Sequence, residues 1–195
     1  MERTFIPTLL LADAGLPMIV LTLPGMLALL VPVVWIEASL CRKWLGLTTR
    51  AAVKSNLVAN VASTLLGVPA AWFLAFLFEF LIGGTISAIF SFERWNSPLA
   101  RVIETIFGPA WLSPDEKNLY WMIPVATIAL LIPTFLISVW IEARVMCRML
   151  EVAEEDSSGL SRTWTAVRNA NLVTYGLLAS GSSIWLLISV VKHRQ

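Results

Sequence analysis

Four apolar runs, each long enough to cross a bilayer as helix, leave this chain little choice of fold. They lie at about residues 16–40, 55–82, 119–143 and 166–191, and each exceeds the roughly 18–20 residues a helix needs to cross the hydrocarbon core. Only 14% of the 195 residues are charged, against roughly 25% in an average soluble domain. Mean hydropathy is +0.77. A soluble protein of this size needs far more polar surface, so the expectation is an all-α integral membrane protein with four transmembrane helices.

The runs are also related in pairs. Val34-Trp35-Ile36-Glu37-Ala38 ends the first, and Val139-Trp140-Ile141-Glu142-Ala143 ends the third. Cys41-Arg42 and Cys147-Arg148 follow. The next runs open alike, with Ala52-Val53-Lys54 and Asn56-Leu57-Val58 matched by Ala166-Val167-Arg168 and Asn171-Leu172-Val173. We read a tandem duplicated helical hairpin: repeat 1 over 16–82, an outer loop over 83–118, and repeat 2 over 119–191, together one membrane domain. Two spans per copy make the copies parallel, related by a pseudo-two-fold along the membrane normal.

Proline pairs, Pro24 with Pro32 and Pro124 with Pro133, predict kinks in spans one and three. Span two carries a ridge of small residues at every fourth position: Ser55, Ala59, Ser63, Gly67, Ala71 and Ala75. Positions four apart are neighbours on a helix surface, and small ridges let helices approach closely in lipid. The ridge is expected against another helix, with Trp72, Phe73, Phe76, Phe78 and Phe80 turned to lipid or a partner. In the outer loop, Ser97-Pro98 reads as a helix start, and Gly108-Pro109 as its stop. Leu99, Val102, Ile103, Ile106 and Phe107 share one face, predicting an amphipathic helix in the headgroup plane. Ser113-Pro114-Asp115-Glu116 reads as a capping box opening span three. Beyond that span, Ser157-Ser158-Gly159 is expected to end the helix. Residues 1–15 read as an interfacial arm rather than a signal peptide, because Pro7 interrupts a short apolar run.

Basic residues suggest the orientation. Eight Lys or Arg (42, 43, 50, 54, 144, 148, 162, 168) fall on one side and six (3, 94, 101, 117, 192, 194) on the other. The positive-inside rule then puts both termini outside the cell's inner membrane. Two cysteines build no disulfide framework and, on the inner side, stay reduced. The net charge of +1 and lack of a basic stripe exclude a nucleic-acid partner. The expected partners are the lipid bilayer and other membrane subunits, or a second copy.

Glu37 and Glu142 are the sharpest candidates for chemistry, since an acid within a membrane helix marks a functional site by default. They admit three readings. The plainest pairs them at the membrane border with Lys54 and Arg168, locking each hairpin; the others are a docking site and proton or ion handling. Asn56, Asn60, Asn169 and Asn171 sit at the mouths of spans two and four as candidate polar partners and interhelical hydrogen bonders. Glu79 is expected to reach headgroups or Arg94. Trp72 and Trp185 lie nearer mid-membrane, where lipid packing competes with contact to a pigment or quinone. One His cannot supply paired haem ligands or a zinc site, and no phosphate loop or nucleophile motif appears. No enzyme, cofactor or metal is expected.

The order Ile36-Glu37-Ala38, a basic turn, Asn56-Leu57, Ser63-Thr64, Gly67 and Trp72 resembles the filament-integrity septal proteins of cyanobacteria, the Fra-C type, over about residues 24–80. That resemblance implies a small multi-span protein of cell–cell septal junctions without catalytic activity. The expected function is a non-catalytic structural, assembly or junction subunit of a larger membrane complex. The alternatives are a small-solute or ion transporter or channel using Glu37 and Glu142, and an accessory subunit contacting a quinone or pigment.

Overall fold

A computed structural model describes residues 16–89, 98–112, 117–153 and 155–193. The amino-terminal arm, Arg94, Ser97, the Ser113–Glu116 capping box and Glu154 fall outside these residues. A two-residue strand, β1 (Leu16–Pro17), leads into α1 (Met18–Leu45). Helices α2 (Thr49–Ala62) and α3 (Val68–Ile89) are joined by a π-helical turn, Ser63–Gly67. Then come α4 (Pro98–Phe107), β2 (Trp111–Leu112), α5 (Leu119–Met149) and α6 (Ser157–Lys192). Among the described residues, four helical spans are long and apolar enough to cross a membrane: α1, Thr49–Leu81, α5 and α6.

Capping chemistry sets the connections. Gly46 closes α1 in the left-handed region at φ 69°, its N–H bonded to the Arg42 carbonyl, a conformation glycine adopts without a Cβ penalty. Thr48 then accepts from the Ala51 N–H at 3.3 Å to start α2. Asp156 plays the same part for α6, taking the Gly159 N–H at 3.0 Å and the Ser158 hydroxyl at 2.7 Å. These bonds hold its carboxyl below the ordinary aspartate range. Ser157-Ser158-Gly159 therefore opens the fourth helix rather than ending the third. The third stops at Met149, and Glu155 lies in the connection before Asp156.

The π turn explains how the small-residue ridge stays on one face. At 3.6 residues per turn, a strict four-residue period drifts by about 40° at each step. A wider π turn takes back part of that drift. Pro69 gives the local cause, because it lacks an N–H and its ring crowds the carbonyl four residues earlier, that of Leu65. Ser55, Ala59, Ser63, Gly67 and Ala71 are all buried, and Ala75 is partly buried against a second core group. The ridge faces α5 of the same chain: a Cβ on Gly67 would stand 3.2 Å from Ile141 Cδ1 and 3.4 Å from Ile137 Cγ2.

The spans close into a ring in which α1 touches α2, α2 touches α5, α5 touches α6, and α6 returns to α1. At the Arg42 end a plug of Cys41, Ala59, Ala143, Met146, Val167 and Ala170 takes residues from all four. At the opposite end Met18, Leu112, Met122, Ala126 and Leu130 form a second core. There the outer segment folds back: β2 pairs antiparallel with β1, and the Met18 N–H bonds the Ala110 carbonyl at 2.9 Å. Two expectations change in consequence. Trp72 donates to that same carbonyl at 2.9 Å and stacks on Phe76, so it anchors the outer segment rather than simply meeting lipid. Glu79 accepts the Trp111 N–H at 3.3 Å, where a border acid reaching for headgroups was expected, because the returning segment offers it a backbone donor. Pairing with Arg94 lies outside the described residues.

Gly67→Leu is expected to destabilise the bundle by about 1–3 kcal/mol through overpacking against Ile137 and Ile141. Ala70→Leu, on the exposed face, is expected to stay within about 0.5 kcal/mol. Denaturant titration in detergent measures both.

Candidate functional site

The two intramembrane acids meet. Glu37 leaves α1 five residues before Arg42, about 7–8 Å along the axis at the α-helical rise, and Glu142 leaves α5 just before Arg144. Their spans lie across the ring from each other, and both side chains point to its centre, 1% and 3% exposed. Glu37 Oε2 accepts from Asn60 Nδ2 at 2.7 Å, and its Oε1 from the Thr174 hydroxyl at 2.6 Å. Glu142 Oε2 accepts from Asn171 Nδ2 at 2.6 Å, and its Oε1 from the Ser63 hydroxyl at 2.6 Å. All four carboxyl oxygens are thus engaged, each by a donor from a neighbouring span.

The pattern is reciprocal. Asn60 and Ser63 sit three apart on the second span, and Asn171 and Thr174 three apart on the fourth, so each pair shares a helix face. Each asparagine serves the glutamate of its own hairpin, and each hydroxyl serves that of the other. The π turn begins at Ser63. Nearby, Tyr175 Oη donates to Ser138 Oγ at 2.9 Å.

Several sequence expectations are redistributed. Lys54 and Arg168 are exposed and form no ion pair with the glutamates; Arg168 instead donates to Asn169 Oδ1 at 3.4 Å. The border pairing is therefore replaced by neutral donors. The physical reason is direction: the acids point to the buried centre of the ring while Lys54 and Arg168 are exposed, so amide and hydroxyl groups reach them first. Asn60 and Asn171 belong to the site rather than to the helix mouths. Asn169 stays outside it. Asn56, buried, donates to the Ala52 carbonyl at 2.8 Å and so lies one turn away from the position that serves Glu37. The sequence match of Asn56 with Asn171 is thus a turn out of step with the hydrogen bonding, in which Asn60 is the counterpart. Thr174 was not singled out from the sequence, although its place three residues after Asn171 is a usable signal.

Above the ring, away from the Arg42 end, a cavity of about 530 Å³ is lined by side chains including Leu29, Pro32, Leu130, Leu177, Trp72 and Trp185. Thr174 lines both this cavity and a smaller void of about 20 Å³ among the ring residues. Among the described residues no cluster of three or more His, Cys, Asp or Glu could hold a metal ion. No family model, curated protein or solved structure matches the chain.

Asn60→Leu and Asn171→Leu each remove a donor from a buried carboxyl and are expected to cost about 1–3 kcal/mol. Lys54→Ala and Arg168→Ala should fall within about 0.5 kcal/mol. Equal losses in all four variants, by unfolding in detergent, would restore the border ion pairs.

Proposed function

We propose that this chain is a non-catalytic integral membrane protein serving as a structural, assembly or junction subunit of a larger membrane complex. We place it in the cell's inner membrane with both termini extracytoplasmic. The observation that carries this reading is the closed ring at the centre: Glu37 and Glu142 commit every carboxyl oxygen to tying the four spans together. A centre so engaged makes a fixed body whose outward surface is left for others. That surface is rich in large apolar groups, among them Trp35 and Phe80, each 72% exposed. The duplicated hairpin is part of this proposal, and the reciprocal sharing of donors between the two halves supports it. The resemblance to Fra-C type septal proteins fits the same role.

Helix α4 gives the surface its outer contact. Ile103, Ile106 and Phe107 are exposed on a ten-residue amphipathic helix, which we read as lying in the headgroup plane or against a partner there.

A second reading is favoured by the 530 Å³ cavity, whose size falls within the roughly 300–1,000 Å³ of small-molecule sites and whose walls carry both Trp72 and Trp185. On it the chain is an accessory subunit holding a quinone or pigment, and the sign is co-purifying absorbance.

Purification in mild detergent is expected to give a particle well above the monomer on a native gel. Ile106→Glu with Phe107→Glu should reduce that size while thermal stability holds. Wild-type protein running only as a monomer argues against the assembly role. Loss of proteoliposome ion flux in Glu37→Gln with Glu142→Gln, at unchanged folding, would favour a transporter.

A further inference from the structure

Acceptors outnumber hydrogens at the centre of the ring. Each asparagine amide has two hydrogens, and both are committed. Asn60 Nδ2 donates to Glu37 Oε2 at 2.7 Å and to the Asn56 carbonyl at 3.0 Å. Asn171 Nδ2 donates to Glu142 Oε2 at 2.6 Å and to the Val167 carbonyl at 3.2 Å. Each hydroxyl has one hydrogen and more than one acceptor in reach. Ser63 Oγ lies 2.6 Å from Glu142 Oε1 and 3.1 Å from the Asn60 carbonyl. Thr174 Oγ1 lies 2.6 Å from Glu37 Oε1, 3.1 Å from the Asn171 carbonyl and 3.4 Å from the Ala170 carbonyl. Asn171 Oδ1, on a side chain 1% exposed, is the one buried side-chain N or O atom without a partner among the described residues.

No basic side chain makes up the shortage. Lys54 and Arg168 are exposed. The titratable groups that the two acids act on are each other, Cys41 on α1 and Tyr175 on α6, none of them cationic. The second span faces the acids with Asn60, Ser63 and Thr64. A buried charge without a partner is strongly unfavourable, whereas a carboxylic acid is neutral and brings a hydrogen of its own.

We propose that the ring is a proton-binding site holding two protons, one on Glu37 Oε1 and one on Glu142 Oε1. Each acid O–H donates to the hydroxyl 2.6 Å away, and that hydroxyl turns its own hydrogen to a carbonyl of the preceding helical turn. One relay runs from Glu142 through Ser63 to the Asn60 carbonyl, the other from Glu37 through Thr174 to the Asn171 carbonyl. The unprotonated oxygen of each acid still accepts from its asparagine. No heavy atom moves, because the distances are the same whichever way a hydroxyl hydrogen points. Both relays cross from one hairpin to the other, so proton binding and the tie between hairpins are one feature. The site concerns the interior and does not rest on the assembly role.

Infrared difference spectra of the purified full chain in detergent, at neutral pH, distinguish a protonated carboxyl from an ionised one by its carbonyl stretch. Wild type compared with Glu37→Gln, and with Glu142→Gln, is expected to show in each case a lost acid carbonyl band that shifts in D2O. Glutamine keeps the neutral form, with an amide N–H in place of the acid O–H, so both variants are expected to fold. Loss of carboxylate bands instead, in either variant, would overturn the proposal. Should a variant fail to fold, proton release by the wild type decides. An exposed glutamate gives up its proton at about pH 4.3. Unfolding at neutral pH is then expected to release about two protons per chain from the ring. Because the folded state binds more protons, stability is expected to fall as pH rises above neutral. Unfolding without proton release, or stability that rises over that range, would overturn the proposal as well.

Discussion

The bundle depends on how two buried carboxyl groups are satisfied. Each buried polar group in such an interior must find a partner or pay heavily. Glu37 and Glu142 solve this together, with two asparagine amides and two hydroxyls drawn from the flanking spans. Because each acid takes one donor from each neighbour, the ring ties all four spans at one level. Lipid offers little hydrophobic drive between helices, so directional bonds of this kind fix which helix faces which.

Packing then completes what the bonds specify. On one side of the ring lies the small-residue plug built on Cys41 and Met146, and on the other the open cavity and the Met18–Leu130 core. The π turn links the two kinds of interaction. Ser63 at its start bonds Glu142, and Gly67 at its end stands against Ile137 and Ile141. At the Met18 end, Glu79 and Trp72 hold the returning segment at the mouth of the bundle through Trp111 and Ala110.

Much of this was legible in the residues. Run lengths gave four spans, the four-residue period of Ser55 to Ala71 gave a close-packed face, and the Pro98–Phe107 pattern gave an amphipathic helix. The repeated Ile-Glu-Ala gave the two acids at the heart of the site. What the sequence obscured was partner choice. Opposite charge at the helix starts pointed to Lys54 and Arg168, whereas burial favoured Asn60 and Asn171, with Thr174 arriving from 137 positions away. No local pattern announces such a contact. The helix start at Ser157 was hidden for another reason: Ser and Gly read equally as a stop until the Asp156 cap is in place.

The central claim is that the hydrogen bonds run between hairpins as well as within them. A double-mutant cycle on Ser63→Ala and Glu142→Leu, residues 79 apart in the chain, measures this directly. The account predicts a coupling energy of about 1 kcal/mol or more between the two sites. Additivity within about 0.3–0.5 kcal/mol would contradict it.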